Sequence, residues 1–201
     1  MFSEQLLLAF IGFAAATLFT PGPNNVMLMA SGLNFGFRRT LPHMAGVTLG
    51  FSFLVGVMGL GLGAVFAAYP VLHAVLKYAG AAYLTYLAVV IALARPGGKD
   101  GPEGGRPMTF LEAALFQWVN VKGWVIAVGA ITAYAAIAAY PLNVAALSIL
   151  LFLIGVASST TWVLLGTSLQ SLVRSPRAVR TFNLVMAALL LASLYPVLME
   201  H

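Results

Sequence analysis

Three groups of residues in this chain have the types and spacing to bind a small charged solute. The first is Thr20-Pro21-Gly22-Pro23-Asn24-Asn25, inside an apolar run from near Leu6 to near Ser31 that carries no charge. Two prolines one residue apart remove two backbone donors from that run. In a continuous helix Pro21 would have served the carbonyl of Thr17, and Pro23 that of Phe19, so both carbonyls are predicted to lack helical partners. Beyond the break, the N–H groups from about Gly22 to Val26 form a fresh, unpaired helix start. Free carbonyls suit an ammonium group, and a helix start beside the Asn24 and Asn25 amides suits a carboxylate. One interrupted helix could thus hold both ends of a zwitterionic amino acid.

The second group is Gln117-Trp118-Val119-Asn120-Val121-Lys122-Gly123, a polar cluster in an otherwise apolar run. With a helix starting near Phe110, Lys122 lies about twelve residues in, or roughly 18 Å deep at 1.5 Å per residue. A lysine stem cannot reach back to an interface over that depth. Its charge must meet an anion, a cluster of carbonyls or a hydrated cavity. Two roles stay open: a structural lysine on the orphan carbonyls of the opposite break, or a contact with substrate or a coupling proton. Asn120 would face the same place.

The third group, Ser158, Ser159, Thr160 and Thr161, falls in the middle of another apolar run and is either structural or lines a pathway. Trp118, Trp124 and Trp162 lie too deep for an interfacial belt, and packing is the simpler role for each. Tyr83 and Tyr86 are open to both readings. His43, near the end of its run, reads as structural.

The elements that must position these residues are membrane helices. The composition is 61% hydrophobic and 7% charged, which cannot present a soluble surface. Apolar stretches of about 18 residues or more recur, each long enough to cross a hydrocarbon core. The expected fold is an all-α integral membrane protein with six transmembrane helices, at about residues 6–31, 41–67, 71–94, 109–139, 143–171 and 181–199. Of the ten Lys and Arg residues, eight lie in three connections: Arg38 and Arg39; Arg95, Lys99 and Arg106; Arg174, Arg177 and Arg180. Those connections share one side, which the positive-inside rule places in the cytoplasm, with both termini outside. The basic balance therefore reports topology, and no nucleic-acid partner is expected.

A Gly- and Pro-rich linker at about residues 95–108 divides this single transporter domain into halves of about 1–95 and 109–201. With three helices each, the halves enter the membrane in opposite directions, as two inverted three-helix repeats. The first and fourth helices are both interrupted, and Asn120 follows Asn24 by 96 residues, roughly one half-chain. Paired interruptions of this kind point to a transport site near the midplane. Gly46, Gly50, Gly56, Gly59, Gly61 and Gly63 make the second helix slim, most simply for packing on the broken first helix, or for a homodimer.

Other classes fit poorly. There is no cysteine, and none of the five acidic residues is deep in a predicted span. An intramembrane enzyme would need a nucleophile with a base, paired carboxylates or a metal. No cofactor or bound metal is expected. A divalent metal ion transporter would want acidic or sulfur ligands; it and a channel-like protein are the alternatives to a carrier.

At these residues the chain resembles the LysE/RhtB family of amino-acid exporters over nearly its whole length. Thr20-Pro21-Gly22-Pro23-Asn24 is similar to that family's first-helix signature, and Lys77-Tyr78-Ala79-Gly80-Ala81-Ala82-Tyr83-Leu84 follows its third-helix pattern. Where most members have Asn-Pro-Lys, this chain has Asn120-Val121-Lys122. That run, with Phe19 to Asn25 and Gly36-Phe37-Arg38, looks like the branch of cysteine and O-acetylserine exporters. The resemblance implies a secondary active exporter of small neutral amino acids or derivatives (cysteine, O-acetylserine, homoserine or threonine), proton-coupled as an antiporter, in the bacterial inner membrane.

Overall fold

The computed structural model describes residues 3–62, 68–69, 71–94, 105–172 and 175–195, and every regular element among them is helical. The first part of the predicted linker, Gly63, Arg174 and the end of the sixth predicted span lie outside the described residues. The helices are α1 (Glu4–Phe19), α2 (Pro23–Phe35), α3 (Phe37–Val57), α4 (Val71–Leu93), α5 (Phe110–Phe116), α6 (Val121–Ala133), α7 (Leu142–Leu172) and α8 (Pro176–Ala192). A π-turn at Met58–Leu62 extends α3, and a 3-10 turn at Ala135–Ile137 follows α6.

Local chemistry fixes where these helices begin. The Ser3 hydroxyl accepts from the Leu6 N–H at the start of α1. Thr109 and Glu112 form a reciprocal capping box on α5, which satisfies two otherwise orphaned donors. Ser175 caps α8 with Pro176 in its first turn, so that helix starts within the basic connection, ahead of the predicted boundary. Gly36, at φ 77°, turns α2 into α3 with no intervening loop, a conformation that favours glycine. The Arg106 guanidinium pairs with the Glu112 carboxylate just before α5, and that partner raises the arginine's pKa further above its ordinary value.

Three helical stretches, Phe37–Leu62, Ala74–Leu93 and Leu142–Gln170, are long and apolar enough to cross a membrane. Two bent pairs qualify as units: α1 with α2, bent by 55°, and α5 with α6, bent by 64°. The chain is thus an α-helical membrane protein. α8, with 17 residues, is shorter than those spans.

Two apolar clusters flank the bends. Phe10, Phe51, Leu54, Trp124, Leu147 and Leu151 join α1, α3, α6 and α7. Val26, Met27, Leu84, Phe116, Met186 and Leu190 join α2, α4, α5 and α8. Large side chains such as Leu8, Phe53, Val125 and Leu153 stay exposed on the outside, where lipid is their solvent.

The slim face of α3 is used differently from the expectation. A Cβ on Gly46 would stand 2.3 Å from the Phe110 carbonyl oxygen, and one on Gly50 2.6 Å from the Ala114 Cα. Gly59 faces the Val144 side chain of α7 in the same way. These glycines therefore seat α5 and α7, while the broken first pair packs on α7 through its own small residues. Gly32 of α2 lies against the Val163 carbonyl, and Gly166 of α7 against that of Met29.

Candidate functional site

α1 ends at Phe19 and α2 begins at Pro23, so Thr20, Pro21 and Gly22 form the hinge. The Thr20 N–H still reaches the Ala16 carbonyl at 3.3 Å. At the hinge, side chains from outside α1 take the carbonyls of Leu18, Thr20 and Pro21 rather than those of Thr17 and Phe19, which the two prolines leave without a helical donor. Asn25 Nδ2 donates to the carbonyls of Leu18 at 2.8 Å and Thr20 at 2.9 Å. Ser158 Oγ, from α7, donates to Leu18 at 2.7 Å. Lys122 Nζ, from α6, donates to Thr20 at 2.8 Å and Pro21 at 3.4 Å.

The second bend forms without the family's proline. From Gln117 to Asn120 each N–H reaches back three residues instead of four, to Ala114, Leu115, Phe116 and Gln117. This tightening strands the Ala113 carbonyl, and Gln117 Nε2 takes it at 2.9 Å. The Trp124 indole N–H takes the Trp118 carbonyl at 3.0 Å. Side chains thus do what the absent proline would have made necessary. Gly80 of α4 lets the turn sit against it: a Cβ there would be 2.2 Å from the Val119 carbonyl oxygen.

The two bends are joined. Asn24 Nδ2 donates to Gln117 Oε1 at 2.8 Å, and Gln117 Nε2 donates back to Asn24 Oδ1 at 3.2 Å. Lys122 lies over Gly22, where a Cβ would come within 2.8 Å of the lysine Cδ and 2.9 Å of its Nζ. Gly22 has φ −171°, extended backbone that any residue adopts; what an added Cβ would disturb there is the lysine side chain.

A cavity of about 510 Å³, its open mouth included, is lined by Asn24, Asn25, Asn120, Lys122, Ser158 and Ser159 with apolar neighbours. A second, of about 890 Å³ on the same measure, lies toward α4 and the end of α8. Gly22, Pro23, Asn120 and Lys122 line both. Asn120, the N-cap of α6, makes no capping bond, and its Oδ1 is buried with no partner. The first turns of α2 and α6 therefore both reach this space, each with backbone donors that no helical carbonyl can satisfy.

Of the remaining predicted residues, Gln117 and Thr20 stand behind the cavity wall, and Pro21 lines only the second cavity. Thr160 donates to Met44 Sδ at 3.6 Å and Thr161 back to its own helix at Ala157. Trp118 packs edge-on against Phe53, and Tyr83 against Tyr86 and Phe116. None of these four lines either cavity. The sequence reading missed Asn34 and Asn183, buried amides that pair reciprocally at 2.8 and 3.0 Å and tie α2 to α8. Asn183 also holds the Ala94 carbonyl at the end of α4, at 2.9 Å. Asparagine in an apolar helix was the available signal.

A family model described as LysE type translocator matches residues 15–194. The chain belongs to this family. It is therefore a transporter and not an enzyme. The chain is 35% identical to the cysteine/O-acetylserine efflux protein of Escherichia coli K12 over 190 residues, covering 94% of this chain and 95% of that one. A protein of the same name in Shigella flexneri serotype 5b is 35% identical over 187 residues, 92% and 93% of the two chains. No solved structure matches. The matched residues of this LysE-type chain include both bends and the cavity between them.

Proposed function

We propose that this protein exports small neutral amino acids or their derivatives, cysteine and O-acetylserine foremost, in exchange for protons across the bacterial inner membrane. The observation that carries the reading is the Lys122 ammonium seated on the Thr20 carbonyl at 2.8 Å, which joins two broken helices at one polar cavity. An α-ammonium group suits the carbonyls of Thr20 and Pro21 and the unpartnered Asn120 Oδ1. A carboxylate suits the first turns of α2 and α6, where the helix dipoles favour an anion. Pro21, Gly22, Pro23, Asn24, Asn25, Asn120 and Lys122 form the site in this reading, with Thr20 and Gln117 as its backing and Ser158 and Ser159 on its wall. The relatives' printed names, cysteine/O-acetylserine efflux protein, favour small side chains.

The scaffold of this reading is six spans in two inverted halves, with the basic connections in the cytoplasm and both termini outside. Two bent pairs at corresponding places support it. So does the pairing of α3 with α5: Gly46 meets Phe110 and Ala113 while Gly50 meets Ala114, so the two run in the same direction, as second and fourth spans must.

The test is transport into proteoliposomes with radiolabelled cysteine, O-acetylserine, homoserine, threonine, lysine and arginine. Accumulation of the first two, driven by an imposed proton gradient, is expected. Movement only down the solute's own gradient would indicate a channel and end the carrier reading.

A further inference from the structure

The position of the Lys122 ammonium raises a difficulty for a carrier: a cation of the protein already occupies the carbonyls that suit the substrate's amine. Its seat is well made. Asn25 holds the Thr20 carbonyl itself and, with Ser158, the carbonyl of Leu18, all independently of the lysine. Gly22 leaves room for the lysine stem, which an added Cβ would meet. Asn120 Oδ1, buried and without a donor, borders the same space. Because Gly22, Pro23, Asn120 and Lys122 line both cavities, the seated lysine stands in the partition between them.

We propose that Lys122 is a tethered stand-in for the substrate's amine. When an amino acid arrives, its ammonium takes over the Thr20 and Pro21 carbonyls, and the displaced lysine pairs with its carboxylate. The exchange keeps each ammonium on hydrogen-bond acceptors before and after it, which a cation within a membrane span demands. It also sets the substrate class. An amine lacking a carboxylate competes for the carbonyls but leaves the displaced lysine without an anion, whereas an α-amino acid supplies both groups. This inference rests on the exporter reading and adds to it the group that selects for the carboxylate.

The test compares L-cysteine with cysteamine, the same molecule without its carboxylate, as ligands of the purified full-length protein. In the native protein cysteine should bind about tenfold or more tighter than cysteamine, the equivalent of one charge-assisted hydrogen bond. In Lys122→Met the order should reverse: cysteamine gains because no ammonium of the protein competes for the Thr20 and Pro21 carbonyls, and cysteine loses its cationic partner. Gly22→Ala pushes the lysine from its seat without removing its charge, so cysteamine should gain there too, and this variant carries the comparison if Lys122→Met does not fold. A lysine that only ties the bends together predicts that both ligands weaken alike in both variants, and that result overturns the proposal. Native protein that binds neither ligand would instead refute the exporter reading on which it stands.

Discussion

Asn24 and Gln117, 93 residues apart, exchange two hydrogen bonds across the meeting point of the two bent helices. Gln117 is fully buried and also serves Ala113, so its amide has no water as a ready substitute, whereas Asn24 lines the cavity. Asn24→Leu or Gln117→Leu alone leaves a polar partner stranded, at about 1–3 kcal/mol. Removing both should destabilise by less than the sum of the two. Thermal unfolding of the four purified proteins measures the coupling; additive losses would mean the pair does not interact.

Gly80 explains a small residue that periodicity alone leaves unexplained. Its Cα faces the Val119 carbonyl inside the second bend, with no space for a methyl group. Gly80→Ala should destabilise the protein by about 1–3 kcal/mol and lower transport, because α4 or the turn must retreat. Gly12 has no heavy atom within 4 Å of an added Cβ, so Gly12→Ala should lower neither quantity. Transport assays with melting curves for both variants would check this contrast.

How much of this was legible in the sequence depended on whether one residue carried the signal. The first bend was readable because two prolines cannot continue a helix, and Lys122 because a deep charge needs a partner. The prolines show which helical donors are lost, at Thr17 and Phe19, but not that side chains would settle on the carbonyls of Leu18, Thr20 and Pro21. The place of the second bend was readable from the polar cluster at 117–123; what holds it, Gln117 capping Ala113 and Gly80 on a different helix, was not. The Asn34–Asn183 pair, separated by 149 residues, follows from tertiary packing that no local pattern encodes.

That pair should also be sensitive to substitution. Asn183→Leu removes the bonds to Asn34 and to the Ala94 carbonyl together, leaving α4 and α8 without their polar tie to α2. A loss of about 2 kcal/mol or more is expected. Asn143→Leu, whose exposed side chain serves only the nearby Ala135 carbonyl and its own helix start, should lose less than half as much. Equal melting points for the two would show that the buried amide pair has no special weight.

His43 is buried at 2% exposure with both ring nitrogens unpartnered. A polar ring in that position opposes folding by about 1–3 kcal/mol. His43→Leu fills a similar space with no polar atom to satisfy, and should raise the melting temperature. A lowered melting temperature would mean the imidazole has bonds that burial hides.

The second bend lacks a proline, yet its backbone is ready for one. Val121 is the first residue of α6, where the N–H has no helical acceptor to lose. Asn120 before it is extended, at φ −86° and ψ 95°, close to the conformation a following proline imposes. Val121→Pro, which restores the Asn-Pro-Lys run usual in this family, should therefore fold and transport normally. By restricting the unfolded chain it should stabilise the protein by about 0.4–1 kcal/mol. Val125→Pro, one turn further into the same helix and exposed at its side chain, breaks an internal hydrogen bond and should lose about 3 kcal/mol. If the two variants melt alike, the bend at Asn120 is not the proline-compatible helix start described above, and the lysine next to it would need a different support.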